Sequence, residues 1–148
     1  MNYEISHPEI LSHAMDFYGL REMPGEKNNP RILDFFEAAG HSWVQDDETS
    51  WCSAFINYLA VKCGYEFSGE LNARSWLEVG ETMKIPTVGD IVVFWREKRD
   101  SWKGHVGIFI HTDGVNVYCL GGNQNNSVNI SAYPIGRVLG YRKLNKEI

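Results

Sequence analysis

Between Ser50 and Gly64, apolar residues recur at Cys52, Phe55, Ile56, Leu59, Ala60 and Cys63, at offsets of three and four. That spacing predicts a helix with a buried stripe, with Ser50 as its N-cap and Gly64 just past its end. Two shorter helices precede it. Ile10, Leu11, Ala14, Met15, Phe17 and Tyr18 mark one from Pro8 to Tyr18, with Ser6 or His7 ahead of Pro8 and Gly19 behind. Ile32, Leu33, Phe35 and Phe36 mark another from Pro30 to Ala39, capped by Asn29 and closed by Gly40. Met23 to Pro30 reads as a loop. A short helix from Ala73 to Val79, capped by Asn72, is also expected.

After Pro86-Thr87-Val88-Gly89-Asp90 the pattern changes. Ile91 to Trp95 is β-rich, and the charged stretch Arg96 to Lys103 reads as an exposed loop. His105 to Ile110 and Asn116 to Leu120 flank Thr112-Asp113-Gly114, a hairpin signal. Gly121 to Asn126 reads as a polar, flexible stretch, and Val128 to Ala132 and Val138 to Arg142 as further strands. Helices first and an antiparallel sheet second predict an α+β fold. With no repeat or linker, residues 1–148 are expected to form a single catalytic domain, helical over about 1–80 and sheet over about 86–143.

Composition narrows the function. A chain of 148 residues, 43% hydrophobic and 13% aromatic, can bury a substantial core. A net charge of −5 speaks against a nucleic-acid surface and against a polybasic membrane anchor. No apolar run is long enough to insert in a membrane, and no signal peptide is visible at the start. A protein made in the cytoplasm with three free thiols is the expectation.

Of those thiols, Cys52 stands out. It falls in the first turn of its predicted helix, where unpaired N–H groups and the helix dipole favour the thiolate, which is the nucleophilic form. His105, at the start of a predicted strand, is the candidate base. Cys63 closes its helix and Cys119 lies within a strand, so both read as core thiols. His7, His13, His41 and His111 lack metal-binding spacing, so no metal or cofactor is expected.

Three blocks then combine: Trp51-Cys52-Ser53-Ala54-Phe55, Pro86 through Gly89-Asp90-Ile91-Val92-Val93-Phe94, and Gly104-His105-Val106-Gly107-Ile108. Their order and spacing resemble the signature of the CHAP and NlpC-type peptidoglycan hydrolases, of papain-like fold. Glu22-Met23-Pro24-Gly25, Ala73 to Trp76 and Gly121 to Gln124 are similar to segments of a small phage-associated and bacterial group within it. The resemblance covers roughly residues 18 to 142.

It implies Cys52 as nucleophile, His105 as general base, and a polar third residue on the strand after the histidine strand. In the family that residue often lies in a Glu-x-Asn pattern; here glycine, Gly121, stands at the Glu position. Asn123 is the expected orienting residue and Gln124 its runner-up, because one step along a strand reverses the facing side. A turn residue is the plain alternative for Asn123. Backbone N–H groups at Cys52 and its neighbours are expected in the oxyanion hole. Trp51, Arg74 and Gln124 are expected on the substrate side, with Trp76, Trp95 and Trp102 as further groove candidates and core the plainer reading of Trp76. Some family members bind calcium ahead of the nucleophile; Asp46-Asp47-Glu48 lacks the loop spacing and reads as a solvated acidic turn.

The implied activity is hydrolysis of an amide bond in bacterial peptidoglycan by a monomer that reaches the wall through a phage pore or another export route. The alternatives are a wall-binding module without catalysis, or a papain-like amidase or transferase with another substrate.

Overall fold

A computed structural model describes residues 4–23, 28–44 and 50–147; Pro24-Gly25 and the Asp46-Asp47-Glu48 turn lie outside the described residues. Three helices, α1 (Pro8–Met15), α2 (Pro30–Ala38) and α3 (Cys52–Cys63), precede six strands. These are β1 (Glu81–Met83), β2 (Ile91–Trp95), β3 (Gly104–Thr112), β4 (Asn116–Gln124), β5 (Ser127–Pro134) and β6 (Val138–Lys143). They form one antiparallel sheet in the order β1-β6-β2-β3-β4-β5. The expected α+β, papain-like layout is the one observed.

Local chemistry accounts for the boundaries. The Asn29 side chain accepts from the Arg31 N–H at 3.0 Å, Pro30 opens α2, and Gly40 follows it at φ 87°. Gly64 ends α3 at φ 78°, a left-handed conformation that glycine adopts without a Cβ penalty. The start of α3 differs from expectation. Trp51, not Ser50, occupies the cap position, and its side chain makes no capping bond. The Ser50 hydroxyl instead accepts from the Asn123 amide at 3.3 Å. β1 is a three-residue strand that the apolar pattern does not mark. β4 is longer than expected, because pairing with β5 continues to Gln124 through the stretch read as flexible.

The sheet has two different faces. Val93, Val106, Ile108 and Leu120 pack on the helices in the main core with Phe35, Phe55 and Leu59. The opposite face carries a second cluster of Val92, Phe94, Phe109, Val117 and Cys119, partly covered by Tyr133 and Tyr141. α3 contacts both β3 and β4, so its first turn meets the strands that carry His105 and Gln124.

A 3-10 turn over Ala73–Glu78 connects the halves, with Asn72 accepting from the Arg74 N–H. Arg74 then crosses to the β2–β3 loop and donates to the carbonyls of Lys98, Arg99 and Lys103 at 2.7–2.9 Å.

Candidate active site

Cys52 is the first residue of α3 and is buried, at 3% exposure. The His105 imidazole and the backbone N–H groups of Val106 and Ser53 all act on its sulfur. Burial pushes the thiol up, but the imidazolium of His105 and these donors outweigh it and hold Cys52 below the ordinary thiol value. His105 is buried at 6% exposure, with its ring tilted against Tyr133 at 5.0 Å and stacked toward Phe94 at 6.2 Å. Burial alone would lower its pKa. The neighbouring Cys52 thiolate, with Cys119 beside the ring, reverses that and raises it. A thiolate–imidazolium pair is the state this arrangement favours.

The second nitrogen of His105 meets Gln124, not Asn123. Nε2 lies 2.9 Å from the Gln124 Oε1, which leaves Nδ1 for Cys52. The carboxamide orientation follows from its surroundings. Gln124 Nε2 sits 2.7 Å from the Asn129 carbonyl, 3.1 Å from its Oδ1 and 3.3 Å from the Cys119 carbonyl, all acceptors. Oε1 therefore faces the imidazole. It also accepts from the Cys119 S–H at 3.1 Å. Burial pushes the Cys119 thiol up, opposite to the direction of Cys52.

Asn123 makes no such contact. The register of β4 against β5 slips between Gly121 and Gln124, because three steps on one strand oppose two on the other. Asn123 sits in the bulge at φ 57° and bonds Ser50 on the surface. Strict alternation from Cys119 and Gly121 would put residue 123 on the histidine face; the extra residue hands that place to Gln124. Gly121 makes the room. A Cβ there would lie 2.7 Å from Gln124 Oε1 and 3.4 Å from His105 Nε2.

The other expected site residues divide. Trp51 is not open to substrate: it is fully buried, donates to Glu22 Oε1 at 2.7 Å and packs against Gly122, where a Cβ would come within 2.6 Å of its ring. Arg74 is not open to a substrate carboxylate either, since its guanidinium is taken up by three main-chain carbonyls. Trp76 is core, donating to the Ser53 hydroxyl. Trp95 and Trp102 each line a cleft beside the Cys–His pair, one containing His105 and the other Cys52. Sequence reading missed Arg96, Tyr133 and Arg137 around these clefts and Asn129 behind Gln124. The alternation linking Cys119 to Gly121 was a readable signal for Cys119, but nothing local marks the others.

The CHAP domain model matches residues 44–123, more than half of the chain. No curated protein matches. Among solved structures, a Staphylococcus aureus protein described as similar to a lipoprotein of the NLP/P60 family superposes with a TM-score of 0.50 at 16% identity, over 93% of this chain and 41% of that one. At that identity the likeness concerns the fold. The chain spans about two fifths of the length of that structure.

Proposed function

The chain belongs to the CHAP family of peptidoglycan cysteine peptidases and amidases, and from that premise we propose that it hydrolyses an amide bond of the bacterial wall with Cys52 as nucleophile. The observation that carries this reading is the electrostatic pairing of Cys52, at the start of α3, with the His105 imidazole, whose Nε2 lies 2.9 Å from Gln124.

In the proposed reaction the Cys52 thiolate attacks the carbonyl carbon of the scissile amide. Negative charge moves to the carbonyl oxygen, where backbone N–H groups at the start of α3 stabilise it. His105 donates its Nδ1 proton to the amide nitrogen, the C–N bond breaks, and the amine leaves. A thioester remains on Cys52. Water then attacks that thioester while His105 accepts its proton, and the carboxylic acid departs as the thiolate returns. Gln124 keeps the ring in place throughout by accepting from Nε2. The scissile bond lies in the stem peptide, in a cross-bridge, or between N-acetylmuramic acid and L-alanine. We assign the protein an endolysin-like lytic role as a monomer. Among the described residues no helix is long and apolar enough to cross a membrane. The proposal has the protein reach the wall through a phage pore or another export route.

Lysis of purified sacculi, with mass spectrometry of the fragments, tests the reading and identifies the bond. Full activity of a Cys52→Ala protein would sink the mechanism. Intact sacculi together with rapid alkylation of Cys52 would move the enzyme to a different amide substrate.

A further inference from the structure

Two clefts flank the Cys–His pair. One, of about 350 Å³, is bordered by His105, Tyr133, Arg96 and Arg137; the other, of about 220 Å³, by Cys52, Trp102, Lys103 and again Arg96. Arg96 therefore stands on the wall shared by both sides of the pair.

The described residues that border this groove carry charge opposite to that of the chain. The protein has 19 acidic residues against 14 lysines and arginines. Yet among the described residues no Asp or Glu borders either cleft, while Arg96, Arg137 and Lys103 do. The three cations are not equivalent. Lys103 is paired with Glu97 at 2.9 Å, so its charge is already answered. Arg137 lies over the Trp95 ring at 5.1 Å and borders the cleft that holds His105, and no hydrogen bond or ion pair engages its side chain among the described residues. The Arg96 side chain has no hydrogen bond or ion pair among the described residues. Arg74 and Arg142 behave differently, each tying its guanidinium to several main-chain or hydroxyl oxygens.

A guanidinium presents a planar fork of donors that matches a carboxylate in two parallel bonds. Two such forks facing a cleft that also holds the candidate base call for an anion at a defined distance from the reacting bond. Resting on the proposed amidase reading, we propose that Arg96 and Arg137 form a subsite for a free carboxylate of the substrate peptide, placed beside the scissile amide. The enzyme then discriminates stem peptides whose carboxylates are free from those in which the same group is a carboxamide. The amide keeps the shape but loses the charge and one acceptor, which leaves guanidinium donors facing a poor partner.

The test uses two synthetic stem peptides identical except for one carboxylate replaced by carboxamide. Calorimetric binding is measured on Cys52→Ala protein, and on the same protein carrying Arg96→Gln and Arg137→Gln, with circular dichroism to check folding. The acid peptide is expected to bind about tenfold tighter than the amide, with the preference falling toward parity in the arginine variant and weakening with added salt. Equal binding of the two peptides, or a preference that survives loss of both arginines, overturns the subsite. Cleavage of both peptides at equal rates by wild-type protein would remove the subsite and keep the amidase reading. Carboxylate-dependent binding without cleavage would keep the subsite and remove the amidase reading.

Discussion

α3 carries a cysteine near a histidine at each end, and the two ends behave oppositely. At its start, the His105 imidazole and the N–H groups of Ser53 and Val106 act on Cys52 and hold it below the ordinary thiol value. At its finish, Cys63 lies 4.0 Å from Nδ1 of His13, yet burial and the Glu9 carboxylate push its thiol up. Helix polarity explains part of this: free N–H groups crowd one end and free carbonyls the other. The histidines explain the rest. His105 is held from behind by Gln124, whereas His13 stacks on Phe17 and meets the edge of Tyr58. Proximity of sulfur to imidazole is therefore not what sets a nucleophile apart; the donors around both groups are.

The strongest break of the comparison is removal of each sulfur in turn. Cys52→Ala is expected to lose sacculus lysis by roughly 10³-fold or more, whereas Cys63→Ala should remain within about twofold, since it touches none of the reacting groups. Turbidity assays on both proteins check this, and comparable losses would equate the two ends.

Next in size is the support behind His105. Gln124→Ala is expected to lower kcat/KM by about 10- to 100-fold through loss of ring orientation, with Asn123→Ala within about threefold. The same mutant should show a changed pH profile, which a merely structural defect would not produce. A larger effect at Asn123 than at Gln124 would reverse the assignment.

A smaller effect sharpens the contrast by pH. Cys52 is lowered and His105 raised, so the ion pair forms as pH climbs past a value below the usual thiol figure of about 8.5. It decays only when His105 loses its proton, above the usual imidazole range. Iodoacetamide should thus label Cys52 at pH 6–7, on the order of tenfold faster than Cys63, whose raised thiol ionises only at higher pH. Peptide mapping of the labelled sites reads the ratio, and equal rates would count against the pair. Smallest is Arg74→Ala, which removes three bonds to the β2–β3 loop and is expected to cost about 1–2 kcal/mol of stability in denaturant melts.

The sequence was readable where a periodic signal carries the information. The three- and four-residue spacing from Cys52 to Cys63 and the glycine behind it are enough to locate α3. The strand periodicity and the Asp113 turn, whose carboxylate accepts from the N–H of Val115 and Asn116, locate β3 and β4. The residue behind His105, Gln124, was not readable in the same way. Its position depends on a one-residue bulge, and a bulge inverts the parity on which counting along a strand relies. Arg74 and Trp51 failed for another reason. Residue type suggested substrate contact, but the partners that occupy them, the carbonyls of Lys98, Arg99 and Lys103 and the carboxylate of Glu22, lie far away in the chain. Long-range partners leave no trace in local spacing.

The amide at Gln124 has a consequence for the timing of the two half-reactions. A carboxylate there would add a fixed negative charge that favours the imidazolium at every stage of the cycle. An uncharged amide leaves the Cys52 sulfur as the chief source of negative potential on the ring, opposed by burial. Acylation turns that sulfur into a neutral thioester, and the counter-ion vanishes as the leaving amine takes the proton. Burial then governs, and the ring relaxes to its uncharged form at the moment a water needs a proton acceptor. Hydrolysis of the thioester restores the sulfur anion and re-arms the ring. In the proposed reaction the histidine would thus act as a latch, released by the covalent state of the cysteine beside it.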